Sequence, residues 1–192
     1  MSNIQHPEMV KGLAKSGAQI INDFTPDTAH ILHMAIGIAG ESGELASVIH
    51  SKFEFEAIDK KNVVEELGDL EFYLEGFRQG LGISRLETIV DDTSYDMDRG
   101  IMSSAKNGAM FLNIASSILL DQIKKVAFYV KPVNTDNVVK SLIKIEGHMY
   151  ILRKCFYITY EQTLEHNIAK LGDRYQGHQY SDEQAIARAD KN

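Results

Sequence analysis

The residues best suited to chemistry are four acids that stand in two pairs with helical spacing. Glu41 and Glu44 lie three residues apart in the stretch GESGEL. Glu66 and Asp69 have the same spacing in the stretch EELGDL. Residues three apart project from one face of a helix, and a short connection favours antiparallel packing of two helices, so the four carboxylates can converge. Clustered anions require a cation, and oxygen ligands with no histidine or cysteine nearby favour Mg²⁺, with Mn²⁺ as a substitute.

A single acidic pair of this kind is usually an exposed part of an amphipathic helix. Two pairs on the facing sides of a predicted helical hairpin are a stronger indication of a site. Gly40, Gly43 and Gly68 interrupt the same helices, and each costs about 1 kcal/mol relative to alanine. We therefore expect close backbone approach, or clearance for a ligand, beside the acids.

Apolar residues recur at every third or fourth position along the chain, which predicts an all-α fold. Thr25 and Pro26 are typical of a helix start, and Ser84 with Glu87 has the spacing of a capping box. The predicted elements are a helix over 7–24, a helix that begins at Thr25-Pro26, a loop over 51–61, a helix over 62–80 and a helix that begins near Arg85.

This organisation occurs twice in the chain, which indicates an internal duplication. At an offset of 75, the residues NVV at 62–64 fall on the same three residues at 137–139. Further matches at this offset are Leu67 with Leu142, Glu71 with Glu146, Arg78 with Arg153 and Ile83 with Ile158. Upstream, Ile38-Ala39 matches Ile114-Ala115 at an offset of 76. We predict a first repeat over 1–100 and a degenerate second repeat over 101–192, which together form one compact unit.

The second repeat lacks all four acids. By these alignments Ser117, Leu120, Ser141 and Lys144 stand in their places. An ordinary solvated surface need not lose its acids as a set, whereas a metal site abandoned in one copy would.

Composition limits the classes of function. The net charge of −7 argues against a nucleic-acid partner, because phosphate backbones bind basic surfaces. No segment approaches the roughly 18 uninterrupted apolar residues of a membrane-spanning helix. The single cysteine, Cys155, excludes an intramolecular disulfide, and no export signal precedes the first helix. A cytoplasmic protein is expected.

The sequence around the acids resembles the MazG-like, all-α nucleoside triphosphate pyrophosphohydrolases, in the versions carried by bacteriophages. The stretches that match best are His33–Leu45 (HMAIGIAGESGEL), Asn62–Leu74 (NVVEELGDLEFYL) and Asn167–Lys191, and the resemblance around them covers about half of the chain. The resemblance implies a helical bundle, here a single-chain pseudo-dimer that associates further into a homodimer. It also implies hydrolysis of a nucleoside triphosphate between its α- and β-phosphates.

By the same resemblance, Glu41, Glu44, Glu66 and Asp69 hold Mg²⁺, and Glu41 accepts the proton of the attacking water. Many relatives carry a further acid at the position of Gly40, which leaves the number of metal ions open.

The carboxyl-terminal part of the resemblance supplies groups for phosphate. Asn167, Lys170 and Arg174 share one helical face and are expected to bind the substrate. Lys52 is a weaker candidate for that role. Ser181 and Gln184 predict a short final helix over the site, with Arg188 reaching inward.

Three aromatic residues, Phe72, Tyr73 and Phe77, offer a face for base stacking or belong to the core. Two alternatives to the triphosphate reaction stay open. One is a dUTP or dUDP hydrolase of the tandem all-α type, and the other is a protein that sequesters a nucleotide without hydrolysing it.

Overall fold

The computed structural model of the chain describes residues 4–85, 100–188 and 190, and these contain eight α-helices and no strand. The all-α prediction is therefore confirmed for this part of the chain. The helices are α1 (His6–Leu13), α2 (Gly17–Asp23), α3 (Pro26–His50), α4 (Lys60–Leu81), α5 (Ile101–Tyr129), α6 (Thr135–Phe156), α7 (Tyr160–Arg174) and α8 (Asp182–Ala187). None of the helices in these ranges combines the length and apolar character that crossing a membrane requires.

The first predicted helix, over 7–24, is wrong in one respect, because it is two helices. The break falls at Ser16, whose hydroxyl accepts a hydrogen bond from the backbone N–H of Gln19. The Gln19 side chain accepts one from the backbone N–H of Ser16. This reciprocal capping box starts a new helix inside a stretch whose apolar pattern runs on without interruption.

The other boundaries within the described residues agree with the sequence. Thr25 caps α3 through the backbone N–H of Thr28, and Pro26 occupies the first turn. The predicted loop over 51–61 holds only a 3-10 turn at Phe55–Ala57 before α4 begins. The helix predicted to begin near Arg85 lies outside the described residues.

Helices α3 and α4 form the antiparallel hairpin that positions the acids. Their register is set where glycines admit large side chains: the Tyr73 ring covers Gly37, Met34 contacts Gly76, and His30 contacts Gly80. Moving one residue toward the carboxyl end of α3 therefore corresponds to moving one residue toward the amino end of α4. The same register sets Glu41 opposite Asp69 and Glu44 opposite Glu66.

The core is one cluster of buried apolar side chains that spans both predicted repeats, from Ile31 on α3 to Ile158 after α6. Helix α5 packs against α3 on one side and α6 on the other, and α7 packs against α4. The second half of the chain thus supplies α7 to the acid-bearing hairpin of the first half.

Helices α4 and α6 bury equivalent faces at the predicted offset of 75. The matched buried positions are Val63 and Val138, Leu67 and Leu142, Leu70 and Ile145, Leu74 and Met149, and Phe77 and Leu152. Both helices end with a left-handed residue, Gly82 (φ 63°) and Tyr157 (φ 51°). The residue after each, Ile83 or Ile158, donates its backbone N–H to the carbonyl of Arg78 or Arg153. Both ends are therefore Schellman-type caps.

The alignment of α3 with α5 at an offset of 76 is wrong. It sets the fully buried Leu45 on Asp121, which is exposed, whereas an offset of 74 sets it on the fully buried Leu119. Positions buried on both helices at an offset of 74 are Ile31 and Ala105, Met34 and Gly108, Ala35 and Ala109, Ile38 and Leu112, Ser42 and Ser116, and Ile49 and Ile123. The shared Ile-Ala dipeptide was misleading, because helices correspond by the face they bury rather than by isolated identities.

The corrected alignment changes two of the residues that replace the acids. The four residues in their places are Ala115, Ile118, Ser141 and Lys144. None of these offers a carboxylate, so the acids are still absent as a set from the second half.

Candidate metal and phosphate site

The acids line a cavity of about 390 Å³ whose walls come from α3, α4, α7, α8 and the residues that follow α7 and α8. Its lining residues are Glu41, Glu44, Glu65, Glu66, Asp69, Phe72, Tyr73, Lys170, Leu171, Arg174, Tyr175, Ala185 and Arg188. Residues from both predicted repeats therefore meet in one cavity.

Three of the four predicted ligands converge. Glu41, Glu66 and Asp69 each offer one carboxylate oxygen, and these oxygens all lie within 4.8 Å of one another. Glu44 lines the same cavity but is exposed and does not belong to that group. Although the helix register sets Glu44 opposite Glu66, the Glu66 side chain is hydrogen-bonded to Glu41.

The clustered carboxylates hold a proton. Burial, a hydrogen bond to Glu41 and the charges of the neighbouring acids together raise the pKa of Glu66 to about 8. Burial and the nearby charge of Asp69 also raise the pKa of Glu41. Burial and the charges of the neighbouring acids both disfavour ionisation of this hydrogen-bonded pair, so the pair favours holding one proton.

The positive charge that is present comes from α7. Lys170 donates from Nζ to Asp69 Oδ2 at 2.5 Å and lies 2.9 Å from Glu65 Oε1. Burial by itself would lower the pKa of Lys170, but the hydrogen bonds to Asp69 and Glu65 raise it. Asn167 donates from Nδ2 to Asp69 Oδ1 at 3.0 Å. The predicted phosphate-binding face of α7 thus contacts an acid directly.

A glycine on α4 allows this contact. A Cβ added at Gly68 would lie 3.0 Å from the Cβ of Asn167 and 3.2 Å from the carbonyl oxygen of Thr163. The predicted close approach is therefore confirmed at Gly68. A Cβ at Gly40 would meet no atom within 4 Å, and at Gly43 the nearest neighbour is the Asn113 side chain at 3.6 Å. No close approach is found at these two glycines, and the alternative expectation, clearance for a ligand, stays a prediction there.

Arg174 lines the cavity but is paired with another residue. Its Nε and Nη2 atoms donate to the two carboxylate oxygens of Asp190, each at 2.6 Å. The hydrogen bonds from Arg174 lower the pKa of Asp190 to about 2. The guanidinium that was expected to face phosphate therefore already has a bidentate carboxylate partner.

Lys52 does not lie at the site. It follows the end of α3, is exposed, and does not line the cavity. Lys52 is close to the acids in sequence, but it lies about two helical turns beyond Glu44 and past the end of α3, so it is not close to them in space. Its expected role in substrate binding is therefore corrected.

Several lining residues were missed or left undecided from sequence. Glu65 was not predicted as a site residue, because only its neighbour Glu66 has the helical spacing with Asp69. In the structure it pairs with Lys170 of α7. Phe72 and Tyr73 line the cavity, whereas Phe77 is fully buried in the core. Arg188 also lines the cavity, in the place where the sequence suggested that it reaches inward.

Comparison with known proteins adds no identity, since no family model, curated protein or solved structure matches the chain. The resemblance to MazG-like enzymes therefore rests on the motifs quoted above. The cavity brings together a group of oxygen ligands, an ammonium group, two guanidinium groups and three aromatic rings.

Proposed function

We propose that this protein hydrolyses a (deoxy)nucleoside triphosphate between its α- and β-phosphates, with Mg²⁺, to a nucleoside monophosphate and pyrophosphate. The observation that supports this most directly is the convergence of Glu41, Glu66 and Asp69 beside Lys170 in one cavity. Such a combination provides ligands for a cation and a fixed positive charge for phosphate.

The residues fit a hard divalent cation. All three converging donors are carboxylate oxygens, the ligand type that such cations prefer. Burial and the neighbouring acids raise the pKa values of Glu41 and Glu66, and a bound cation would favour their ionised forms. Mg²⁺ or Mn²⁺ bound there would stabilise charge on the phosphate oxygens and lower the pKa of a coordinated water.

Side chains of the protein would orient the metal ligands and accept the proton of the attacking water. Lys170 and Asn167 orient Asp69 and present donors at the cavity wall. Among the acids, the base should be the one least engaged as a ligand. Since Glu41 belongs to the converging group and Glu44 does not, we propose Glu44 as the proton acceptor in place of the predicted Glu41.

The aromatic part of the cavity suits a nucleobase. Phe72 is about half exposed, and Tyr73 and Tyr175 line the same cavity. Exposed rings beside a phosphate site can stack a base without reading its identity. The class of base therefore stays open, and dUTP or dUDP remains among the candidate substrates.

We further propose that the chain is a tandem duplication of a MazG-like helical hairpin, arranged as a single-chain pseudo-dimer. The matched burial of α4 with α6 and of α3 with α5, and the equivalent helix ends at Gly82 and Tyr157, support this. Association into a homodimer stays a prediction.

The deciding experiment measures pyrophosphate and monophosphate release from a panel of ribo- and deoxynucleoside triphosphates and dUDP, with Mg²⁺ or Mn²⁺. We expect metal-dependent turnover that falls at least about a hundredfold in Glu41→Gln, Glu44→Gln and Asp69→Asn. Glu56→Gln, an exposed acid outside the cavity, is the matched control and should retain turnover.

The variants also separate the roles of the acids. Glu44→Gln should lose turnover while keeping Mn²⁺ affinity, whereas Asp69→Asn should lose both. Release of orthophosphate from dUDP, or a strict preference for dUTP, would favour the tandem dUTP hydrolase. Tight nucleotide binding without any product in the presence of Mg²⁺ would refute hydrolysis and support sequestration.

A further inference from the structure

The chain after α7 folds back onto the cavity. This segment, residues 175–188 together with Asp190, is called the tail below. The rings of Tyr175 and Tyr180 lie 5.7 Å apart, and the backbone N–H of Gln176 donates to the side chain of Gln184 at 3.2 Å. The tail is joined to α7 by the bidentate pair of Arg174 and Asp190, whose carboxylate is 3% exposed.

Residues of the tail line the cavity, and one of them is a cation. Ala185 and Arg188 line the same cavity as Glu41 and Asp69. Among the cations that line it, Lys170 is paired with Glu65 and Asp69, and Arg174 with Asp190. Arg188 makes no ion pair with any residue in the part of the chain that the structure describes. It is the cation there that can bind an incoming anion without first releasing a carboxylate.

We propose, on the basis of the function proposed above, that Arg188 binds the polyphosphate of the substrate and that the Arg174–Asp190 pair is a positioning pair that holds Arg188 over the cavity. Direct binding of phosphate by Arg174 is disfavoured energetically. It would leave the Asp190 carboxylate buried and without its partner, which is costly for a charged group. Binding of phosphate by Arg188 would leave no described carboxylate without its partner.

The test is calorimetric titration with inorganic triphosphate in the presence of Mg²⁺, which measures polyphosphate binding independently of base and of hydrolysis. We expect Arg188→Gln and Asp190→Asn each to weaken triphosphate binding about tenfold or more, as the loss of a charge-assisted hydrogen bond does. The double variant should bind triphosphate with about the affinity of the single variant that binds it less tightly, because both substitutions act through Arg188. Glu183→Gln, an exposed acid of the tail outside the cavity, should bind as the wild type does.

Amide hydrogen exchange of α8 separates positioning from contact. Asp190→Asn should increase exchange in α8, whereas Arg188→Gln should leave it unchanged while still weakening binding.

Two results would overturn the proposal. One is unchanged or tighter triphosphate binding by Asp190→Asn, which is expected if the released Arg174 is the phosphate ligand. The other is unaltered triphosphate binding by Arg188→Gln. If both variants weaken binding but no nucleotide is hydrolysed, the proposed function fails and this inference stands. If nucleotides are hydrolysed and both variants match the wild type, the inference fails and the function stands.

Discussion

At the scale of single residues, the proton shared by Glu41 and Glu66 governs the site. Burial and neighbouring acids raise the pKa of Glu66 from an ordinary 4.5 to about 8. Near neutral pH a bound cation therefore has to displace this proton, because a ligand carboxylate must be ionised. The affinity for any cation that binds there would therefore increase as the pH rises.

The pH dependence of stability follows from the same shift. Since the pKa of Glu66 is higher in the folded than in the unfolded chain, its contribution is fully present below pH 4.5 and is lost as the pH rises through about 8. We expect the chelator-treated protein to lose stability between pH 5 and pH 9, in urea unfolding, and Mg²⁺ to restore more of it at the higher pH values. Glu66→Gln should flatten the profile. Identical pH profiles for wild type and Glu66→Gln would contradict the raised pKa.

At the scale of elements, the site depends on how closely α7 approaches α4. Gly68 allows that approach, and it brings Asn167 and Lys170 to the carboxylate of Asp69. The two helices are far apart in sequence, so their contact is specified by packing and not by a local spacing. The missing side chain at Gly68 therefore lets α7 reach the candidate site.

Substitution of Gly68 tests this contact. Gly68→Ala places a methyl group against Asn167 and the backbone of Thr163, and overpacking of this kind costs about 1–3 kcal/mol of unfolding free energy. We expect both stability and metal affinity to fall, because α7 must shift away from Asp69. Gly40→Ala is the matched control: its Cβ meets nothing within 4 Å, so a gain of up to about 1 kcal/mol is expected from helix propensity. Equal effects of the two variants in denaturant unfolding would contradict the packing argument.

At the scale of the whole molecule, a buried network of ion pairs joins the two halves reciprocally. Arg78 on α4 pairs with Glu146 on α6, and Arg153 on α6 pairs with Glu71 on α4 at 3.1 Å. Arg85 also donates to Glu71 at 2.7 Å and lies over the ring of Tyr160. These charges are satisfied only when both halves are folded together, so the chain should unfold as one cooperative unit.

The two acids near Arg78 offer a comparison within one network. Glu146→Gln leaves a guanidinium that is 2% exposed without its buried counter-charge, and we expect a loss of about 3–5 kcal/mol in chemical denaturation. Glu75 lies 3.6 Å from the same guanidinium but is 57% exposed, and Glu75→Gln should cost less than about 1 kcal/mol. Similar losses in both variants, or two separate unfolding transitions in the wild type, would contradict the network's role.

The sequence by itself determined the all-α character and most of the helix boundaries. Periodicity and capping residues predicted a helix that begins at Thr25-Pro26 and a helix over 62–80, and the spacing of the acids predicted that they lie on the facing sides of this hairpin. Such features are local, because a helix repeats every 3.6 residues and its caps lie within one turn.

Tertiary structure decided which of these residues meet. It separated Glu44 from Glu41, Glu66 and Asp69, set Asp190 against Arg174, and placed Lys52 away from the cavity. It also corrected the correspondence of α3 with α5 by showing which faces are buried. These outcomes depend on interhelical register and on long-range pairing, which arise from packing between segments and leave no fixed spacing in the sequence.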